Sequence, residues 1–115
     1  MRVIVCGGRD YDDRTTVSRV LEALDERTVT IVHGDAPGAD TLADEVADDY
    51  WLTIDPFPAE WERHGKAAGP IRNQEMLDAG ADLVIAFPGG RGTADMVGRA
   101  RSAGVPVLHV DGGGA

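Results

Sequence analysis

Five short apolar segments alternate with four segments of helical periodicity, and this alternation limits the chain to an α/β fold. Such alternation is typical of a mostly parallel sheet that is covered by helices on both faces. Right-handed crossovers restrict the strand orders that remain. We therefore predict a Rossmann-like three-layer sandwich with five strands in the order 3-2-1-4-5. The predicted strands are Arg2–Cys6, Val29–His33, Trp51–Ile54, Asp82–Phe87 and Val105–Val110.

The first two helical segments carry apolar residues at intervals of three and four residues, which places those side chains on one helix face. Asp12 or Asp13 precedes the first helix as a candidate N-cap. The second helix also has an acidic side, and we predict that its carboxylates face solvent. The acidic positions are Asp40, Asp44, Asp48 and Asp49, and the apolar positions are Val17, Val20, Leu21 and Leu24, then Ala39, Leu42, Ala43, Val46 and Tyr50.

The second half of the chain is predicted to contain two more helices. They cover Ile71–Ala79 and Thr93–Ala103, and a loop over Ala59–Gly69 precedes the first of them. The chain is short enough that we expect one domain over residues 1–110. A glycine-rich tail over residues 111–115 is expected to be flexible.

Composition excludes several classes of function. The formal net charge of −9 predicts that the chain repels duplex nucleic acid, because non-specific affinity depends on neutralising phosphates. No apolar run approaches the roughly 20 residues that span a bilayer, and the N-terminus lacks the pattern of a signal peptide, so we expect a cytoplasmic protein without a membrane partner. Cys6 is the one cysteine and is predicted to be a buried thiol. No metal-ligand spacing occurs, and no metal or cofactor is expected.

Glycine-rich loops follow three of the predicted strands, and they carry the clearest functional signal. They cover Gly7–Asp10, His33–Asp40 and Pro88–Thr93. The first and third flank the point where the predicted strand order reverses, beyond which ligands of such sheets bind. Glycine lets the backbone approach a ligand, and amides at a helix N-terminus bind anions. These loops therefore predict a phosphate site, although neither the dinucleotide fingerprint nor a Gly-Lys-Ser/Thr motif is present.

The segment Trp61–Asn73 collects cations in an otherwise acidic chain. Trp61 either stacks on a base as part of a lid or packs on the sheet. Arg72 either clamps phosphate or pairs with a nearby carboxylate, Glu75 or Asp78. The candidate ligand-binding residues are Gly7, Gly8, Arg9, His33, Gly34, Asp35, Gly38, Trp61, Lys66, Arg72, Asn73, Pro88, Gly89, Gly90, Arg91, Gly92 and Thr93.

Two of the remaining candidates have a structural alternative. His33 ends a predicted strand, where it either faces the pocket or serves as a satisfied strand-end residue. Asp95 lies in the first turn of the last helix, where the helix dipole favours any acidic residue. The sequence leaves both choices open.

Four segments together resemble the YspA-like family of the SLOG superfamily, which is related to the Lonely Guy phosphoribohydrolases and to DprA. The segments are Val5–Asp10, His33–Asp40, Gly65–Asn73 and Phe87–Thr93. The resemblance implies a Rossmann-like fold and a nucleotide or nucleotide-derived phosphate ligand in a sensing, sequestering or processing role. Under this interpretation Trp61 or Phe87 contacts the base.

The same resemblance implies two alternative functions. The Lonely Guy enzymes hydrolyse the N-glycosidic bond of nucleoside monophosphates with the pattern Pro-Gly-Gly-x-Gly-Thr-x-x-Glu and an upstream arginine. Arg72 stands at that arginine, Met96 at the glutamate, and Asp95 one residue earlier, so a hydrolase here would use Arg72 and Asp95 as catalytic residues. Other relatives resemble carriers of a phosphate-bearing cofactor such as molybdenum cofactor. The Lonely Guy relatives dimerise, and the resemblance therefore allows for a homodimer or a higher homo-oligomer.

Overall fold

A five-stranded parallel sheet in the order β3-β2-β1-β4-β5 forms the centre of the chain, which confirms the predicted fold and strand order. The computed structural model describes residues 1–24 and 27–111. Residues 112–115 of the predicted tail lie outside the described part. The strands are β1 (Arg2–Cys6), β2 (Thr30–His33), β3 (Thr53–Pro56), β4 (Leu83–Ala86) and β5 (Val107–His109).

Helices connect the strands and cover both faces of the sheet. Asp13 caps the first helix, because its carboxylate accepts a hydrogen bond from the Thr16 amide at 3.1 Å. Every helix within the described ranges is too short or too polar to span a membrane. The helices are α1 (Arg14–Glu22), α2 (Ala39–Asp49), α3 (Trp61–His64), α4 (Ala68–Asp78) and α5 (Arg91–Ser102), with a 3₁₀ turn over Gly65–Ala67.

Side chains of β1 alternate between two cores, one on each face of the sheet. Val3 and Val5 pack against α1 and α2, whereas Ile4 and Cys6 pack against α4 and α5. This alternation follows from the two-residue period of a strand. Because β1 is buried from both sides, the loops that follow β1 and β4 start from fixed positions.

Two sequence predictions about element boundaries are wrong. The third strand does not begin at Trp51, whose backbone is left-handed (φ 61°) and whose side chain is 89% exposed. The segment Ala59–Gly69 is not a loop, because it holds α3, the 3₁₀ turn and the start of α4. Both corrections concern the edge of the sheet and the segment that leaves it.

Candidate functional site

Gly8 connects the three glycine-rich loops at the carboxyl edge of the sheet. Its N–H donates to the Pro88 carbonyl at 2.8 Å, which joins the β1 loop to the β4 loop. Its carbonyl accepts from the Ala39 amide at 3.1 Å, the first residue of α2, and from the Tyr11 amide at 3.2 Å. Gly8 therefore holds the loops together with its backbone.

The β4 loop approaches the β1 loop so closely that Gly89 has no room for a side chain. A Cβ on Gly89 would lie 2.6 Å from the Gly8 nitrogen and would also collide with the Thr93 hydroxyl. Gly90 and Gly92, in contrast, have open space where a Cβ would stand. The loop is thus tightly packed at Gly89 and open at the start of α5.

The N-terminus of α5 presents backbone N–H groups that the helix does not use. The hydrogen-bond ladder of the helix begins when the Ala94 amide donates to the Gly90 carbonyl at 3.0 Å. Gly90 is the N-cap and supplies no side-chain acceptor. The amides of Arg91, Gly92 and Thr93 precede the ladder, and such groups form a ready anion site.

A cavity of about 980 Å³ opens in front of this helix end, and it contains most of the predicted site residues. Its volume is at the upper end of the range for small-molecule sites. The predicted residues that line it are Gly7, Gly8, Arg9, Trp61, Lys66, Arg72, Asn73, Pro88, Gly89, Gly90, Arg91, Gly92, Thr93 and Asp95. The fold therefore brings these residues, which are distant in sequence, together around one cavity.

The cations of this cavity lack carboxylate partners. Within residues 1–24 and 27–111, no carboxylate lies within ion-pair distance of the four cations that line it: Arg9, Lys66, Arg72 and Arg91. Four arginines elsewhere do form ion pairs with carboxylates, namely Arg2, Arg14, Arg63 and Arg99. In a chain with more acidic than basic residues, this arrangement favours an anionic ligand.

Arg72 is held in place by the β2 loop. Its Nη1 donates to the Gly34 carbonyl, and its Nε donates to Asn73 Oδ1 at 3.0 Å. The alternative that Arg72 pairs with Glu75 or Asp78 is wrong. Burial lowers the pKa of Arg72 and the charge of Asp40 opposes this shift, while a guanidinium stays protonated at any physiological pH.

Trp61 lies at the cavity mouth and not on the sheet. The guanidinium carbon of Arg9 lies 5.7 Å from the centroid of its ring, a distance typical of a cation–π contact. The ring is 49% exposed and belongs to neither core. The Trp61 ring is thus an accessible aromatic surface beside two cations, Arg9 and Lys66.

Phe87, the alternative base contact, is not in the cavity. Its ring is buried and packs on Tyr11, with 5.3 Å between ring centroids. Cys6 does line the cavity wall, but burial raises the pKa of its thiol to about 12, so it is neutral at physiological pH. The described residues contain no cluster of His, Cys, Asp or Glu that can hold a metal ion.

Asp95 and Met96 differ sharply in their surroundings. Met96 is fully buried in the core between the sheet and α5. Asp95 lines the cavity, and its Oδ2 accepts from Asn73 Nδ2 at 2.9 Å and from Arg99 Nε at 2.8 Å. The position of the enzyme glutamate therefore belongs to the core, and the neighbouring carboxylate is already hydrogen-bonded.

The predicted residues of the β2 loop support the site from outside the cavity lining. His33 is fully buried, with Nε2 at 2.7 Å from Asp44 Oδ2 and Nδ1 accepting from the Asp35 amide at 2.9 Å. Because Nδ1 accepts, the ring proton lies on Nε2 and is donated to Asp44. His33, Gly34, Asp35 and Gly38 do not line the cavity, and their contact with a ligand stays a prediction.

Sequence reasoning missed Asp40. We predicted that its carboxylate faces solvent, yet it is only 7% exposed and lines the cavity. Its Oδ2 accepts from the amides of Gly34 at 3.0 Å and Ala36 at 3.3 Å, which fixes the β2 loop. Burial raises the pKa of Asp40, against hydrogen bonds from Ala36 and Gly34 and the charge of Arg72. Its position in the first turn of a helix after a glycine-rich loop was the available signal.

Comparison with known proteins agrees with this architecture. The profile of the "YspA, cpYpsA-related SLOG family" matches residues 1–64 of the 115. The Gene 61 protein of Mycobacterium phage D29 is 42% identical over 118 residues, an alignment that covers 94% of each chain.

Two solved structures share the fold. DNA processing protein A (DprA) from Streptococcus pneumoniae superposes with a TM-score of 0.81 at 23% identity, over 96% of this chain and 50% of that one. The structural-genomics target TM1055 superposes with a TM-score of 0.72 at 18% identity, over 100% of this chain and 77% of that one. This chain thus spans half the length of DprA. By its profile match and its phage relative, the chain belongs to the YspA, cpYpsA-related SLOG family.

Proposed function

We propose that the chain binds a nucleotide, or a nucleotide-derived molecule that carries phosphate, in the cavity in front of α5. One observation carries the proposal: the free amides of Arg91, Gly92 and Thr93 open into a cavity whose cations have no carboxylate partner in the described ranges. Amides at a helix N-terminus and unpaired cations both favour a phosphate group. Family membership supports a nucleotide-related role.

The phosphate end of the ligand is assigned to the β4 loop. Arg91 and the Thr93 hydroxyl supply further donors beside the amides of α5. Arg72 supplies a guanidinium from the opposite wall, held there by the Gly34 carbonyl. A planar guanidinium binds phosphate oxygens with two parallel hydrogen bonds, which positions the ligand as well as neutralising it.

The base end is assigned to Trp61. Its accessible ring offers a stacking surface at the cavity mouth. Stacking of a base on an aromatic ring contributes about 1–3 kcal/mol and tolerates different bases. Arg9, which now lies over this ring, is close enough to move onto the phosphate or the base.

Binding is favoured over N-glycosidic hydrolysis. Met96 is buried in the core and has no group that stabilises positive charge on a sugar ring. Oδ2 of Asp95 already accepts hydrogen bonds from Asn73 and Arg99. We therefore expect no release of free base when the protein is incubated with nucleoside monophosphates.

Calorimetric titration with a panel of nucleotides tests this function. Arg91→Ala removes a cation at the N-terminus of α5, and Arg101→Ala removes one near the C-terminus of the same helix as a matched control. We expect Arg91→Ala to weaken binding about tenfold, because a hydrogen bond to a charged group contributes about 1.5–3 kcal/mol. Arg101→Ala should leave the Kd unchanged.

Two results would contradict the proposal. The first is that the wild-type protein binds no nucleoside monophosphate, nucleoside diphosphate or dinucleotide at millimolar concentration. The second is an equal loss of affinity in Arg91→Ala and Arg101→Ala, which would show a general charge effect and no site at the helix start.

A further inference from the structure

Asp40 brings a buried carboxylate into a cavity that four cations also line. Both hydrogen bonds that its side chain accepts end on Oδ2. Within the described ranges every fully enclosed side-chain oxygen or nitrogen has a partner. Oδ1 accepts no hydrogen bond from residues in these ranges, so it is not fully enclosed, and Asp40 lines the cavity.

Short contacts connect Asp40 to the β1 loop and to Arg72. Gly89 touches the β1 loop, and Gly8 of that loop accepts from the Ala39 amide, next to Asp40. On the other side, Asp40 holds the loop whose Gly34 carbonyl binds Arg72, the guanidinium assigned above to the phosphate.

Gly69 lies where the two proposed ligand contacts meet. A Cβ on Gly69 would lie 3.9 Å from Arg72 Nη2 and 3.6 Å from Trp61 Cη2, so the guanidinium assigned to phosphate and the ring assigned to the base adjoin there. Asp40 holds the loop that binds this guanidinium. In a nucleotide the ribose joins the phosphate to the base, so a carboxylate beside this junction is in reach of the ribose.

The chemistry of a carboxylate narrows what can lie beside it. An ionised Asp accepts hydrogen bonds only, and it repels phosphate. Burial raises the pKa of Asp40, and two N–H donors and the charge of Arg72 act against that rise. On the basis of the proposed function, we propose that Oδ1 of Asp40 accepts a hydrogen bond from a ribose hydroxyl of the bound nucleotide.

Asp40→Asn tests this contact with little change of shape. The amide oxygen still accepts from Gly34 and Ala36, while an NH₂ group replaces Oδ1 and cannot accept. Asp48→Asn, on the exposed side of the same helix, is the matched control. Asp48→Asn should leave the melting temperature and the affinity for inorganic phosphate unchanged. Asp40→Asn should not weaken the binding of inorganic phosphate, because it removes a negative charge that interacts with Arg72.

Two ligands are compared. The first is whichever of AMP, GMP, CMP and UMP binds wild type most tightly, and the second is the 2′,3′-dideoxy form of that nucleotide. We expect Asp40→Asn to weaken binding of the ribonucleotide about tenfold to a hundredfold, the range for a hydrogen bond to a charged group. The dideoxy form should bind Asp40→Asn at least as tightly as wild type, because the substitution removes a charge that repels phosphate. A loss of affinity that requires both the carboxylate and the ribose hydroxyls would show that these groups interact directly.

Several outcomes would overturn the inference. Equal losses for both ligands, or no loss for either, would show that Asp40 only shapes the loop. A hydroxyl-dependent loss in Asp95→Asn and not in Asp40→Asn would assign the ribose to Asp95. Binding of no nucleotide to wild type would instead contradict the proposed function and this inference together.

Discussion

Single residues of the cavity wall differ in reactivity because of what surrounds them, and Cys6 is the clearest case. Desolvation by burial and the nearby charge of Asp40 raise the pKa of its thiol to about 12. The thiolate is the reactive form of cysteine. With a pKa of about 12, the thiolate fraction of Cys6 at pH 8 is negligible. Cys6 is therefore a packing residue of the wall and not a nucleophile.

Alkylation kinetics test this assignment. The rate of iodoacetamide labelling of the native protein should rise about tenfold per pH unit between pH 7 and pH 9, because the thiolate fraction does so below a pKa of about 12. Labelling in urea should be faster by more than about a hundredfold at pH 8, since an unfolded thiol has a pKa of about 8.5. Complete labelling of the native protein within minutes at pH 7 would contradict the burial argument.

At this scale the sequence predicted which glycine-rich loops meet, missed the burial of Asp40 and left the role of His33 open. The glycine pattern is local, because a loop after a strand needs specific backbone freedom. Whether the first turn of α2 faces solvent or folds over the β2 loop depends on contacts between segments, which periodicity does not report. The hydrogen bonds by which Asp40 and His33 hold the β2 loop are therefore visible in the structure and not in the sequence pattern.

At the scale of elements, the β4–α5 connection combines a closely packed glycine with an open helix start. Gly89→Ala should lower stability and abolish binding, because the added methyl group collides with the Gly8 nitrogen and the Thr93 hydroxyl. Overpacking of this kind costs about 1–3 kcal/mol. Gly90→Ala is the matched control, since it adds the same group in open space.

Urea unfolding of the two variants provides the measurement. We expect a lower midpoint with an unchanged m-value for Gly89→Ala and a wild-type midpoint for Gly90→Ala. Equal stability of the two variants would mean that the β1 and β4 loops do not touch in solution.

The same scale shows where element prediction failed. The third strand was placed over Trp51–Ile54 for its apolar character, but pairing with β2 sets its register, with Ile54 opposite Ile31. The short helix α3 carries no apolar periodicity, so its sequence resembles a loop. The long amphipathic helices α1 and α2 were predicted well because one face of each packs on the sheet.

At the scale of the whole molecule, strand order determines where the site lies. The sheet reverses its order between β1 and β4, and the loops of these two strands form the cavity beside the start of α5. The alternation of strands and helices was sufficient to predict this position. The charge balance points the same way, because in a chain of net charge −9 four cations without a carboxylate partner among the described residues line this cavity.

Nuclear magnetic resonance titration of ¹⁵N-labelled protein with a nucleotide tests phosphate binding at α5 most directly. We expect the largest amide shifts at Arg91, Gly92 and Thr93, whose N–H groups precede the helix ladder. The amide of Ala39, which already donates to the Gly8 carbonyl, should shift much less. Largest shifts at the opposite edge of the sheet, around Trp51, or none at all, would contradict a phosphate site at the start of α5.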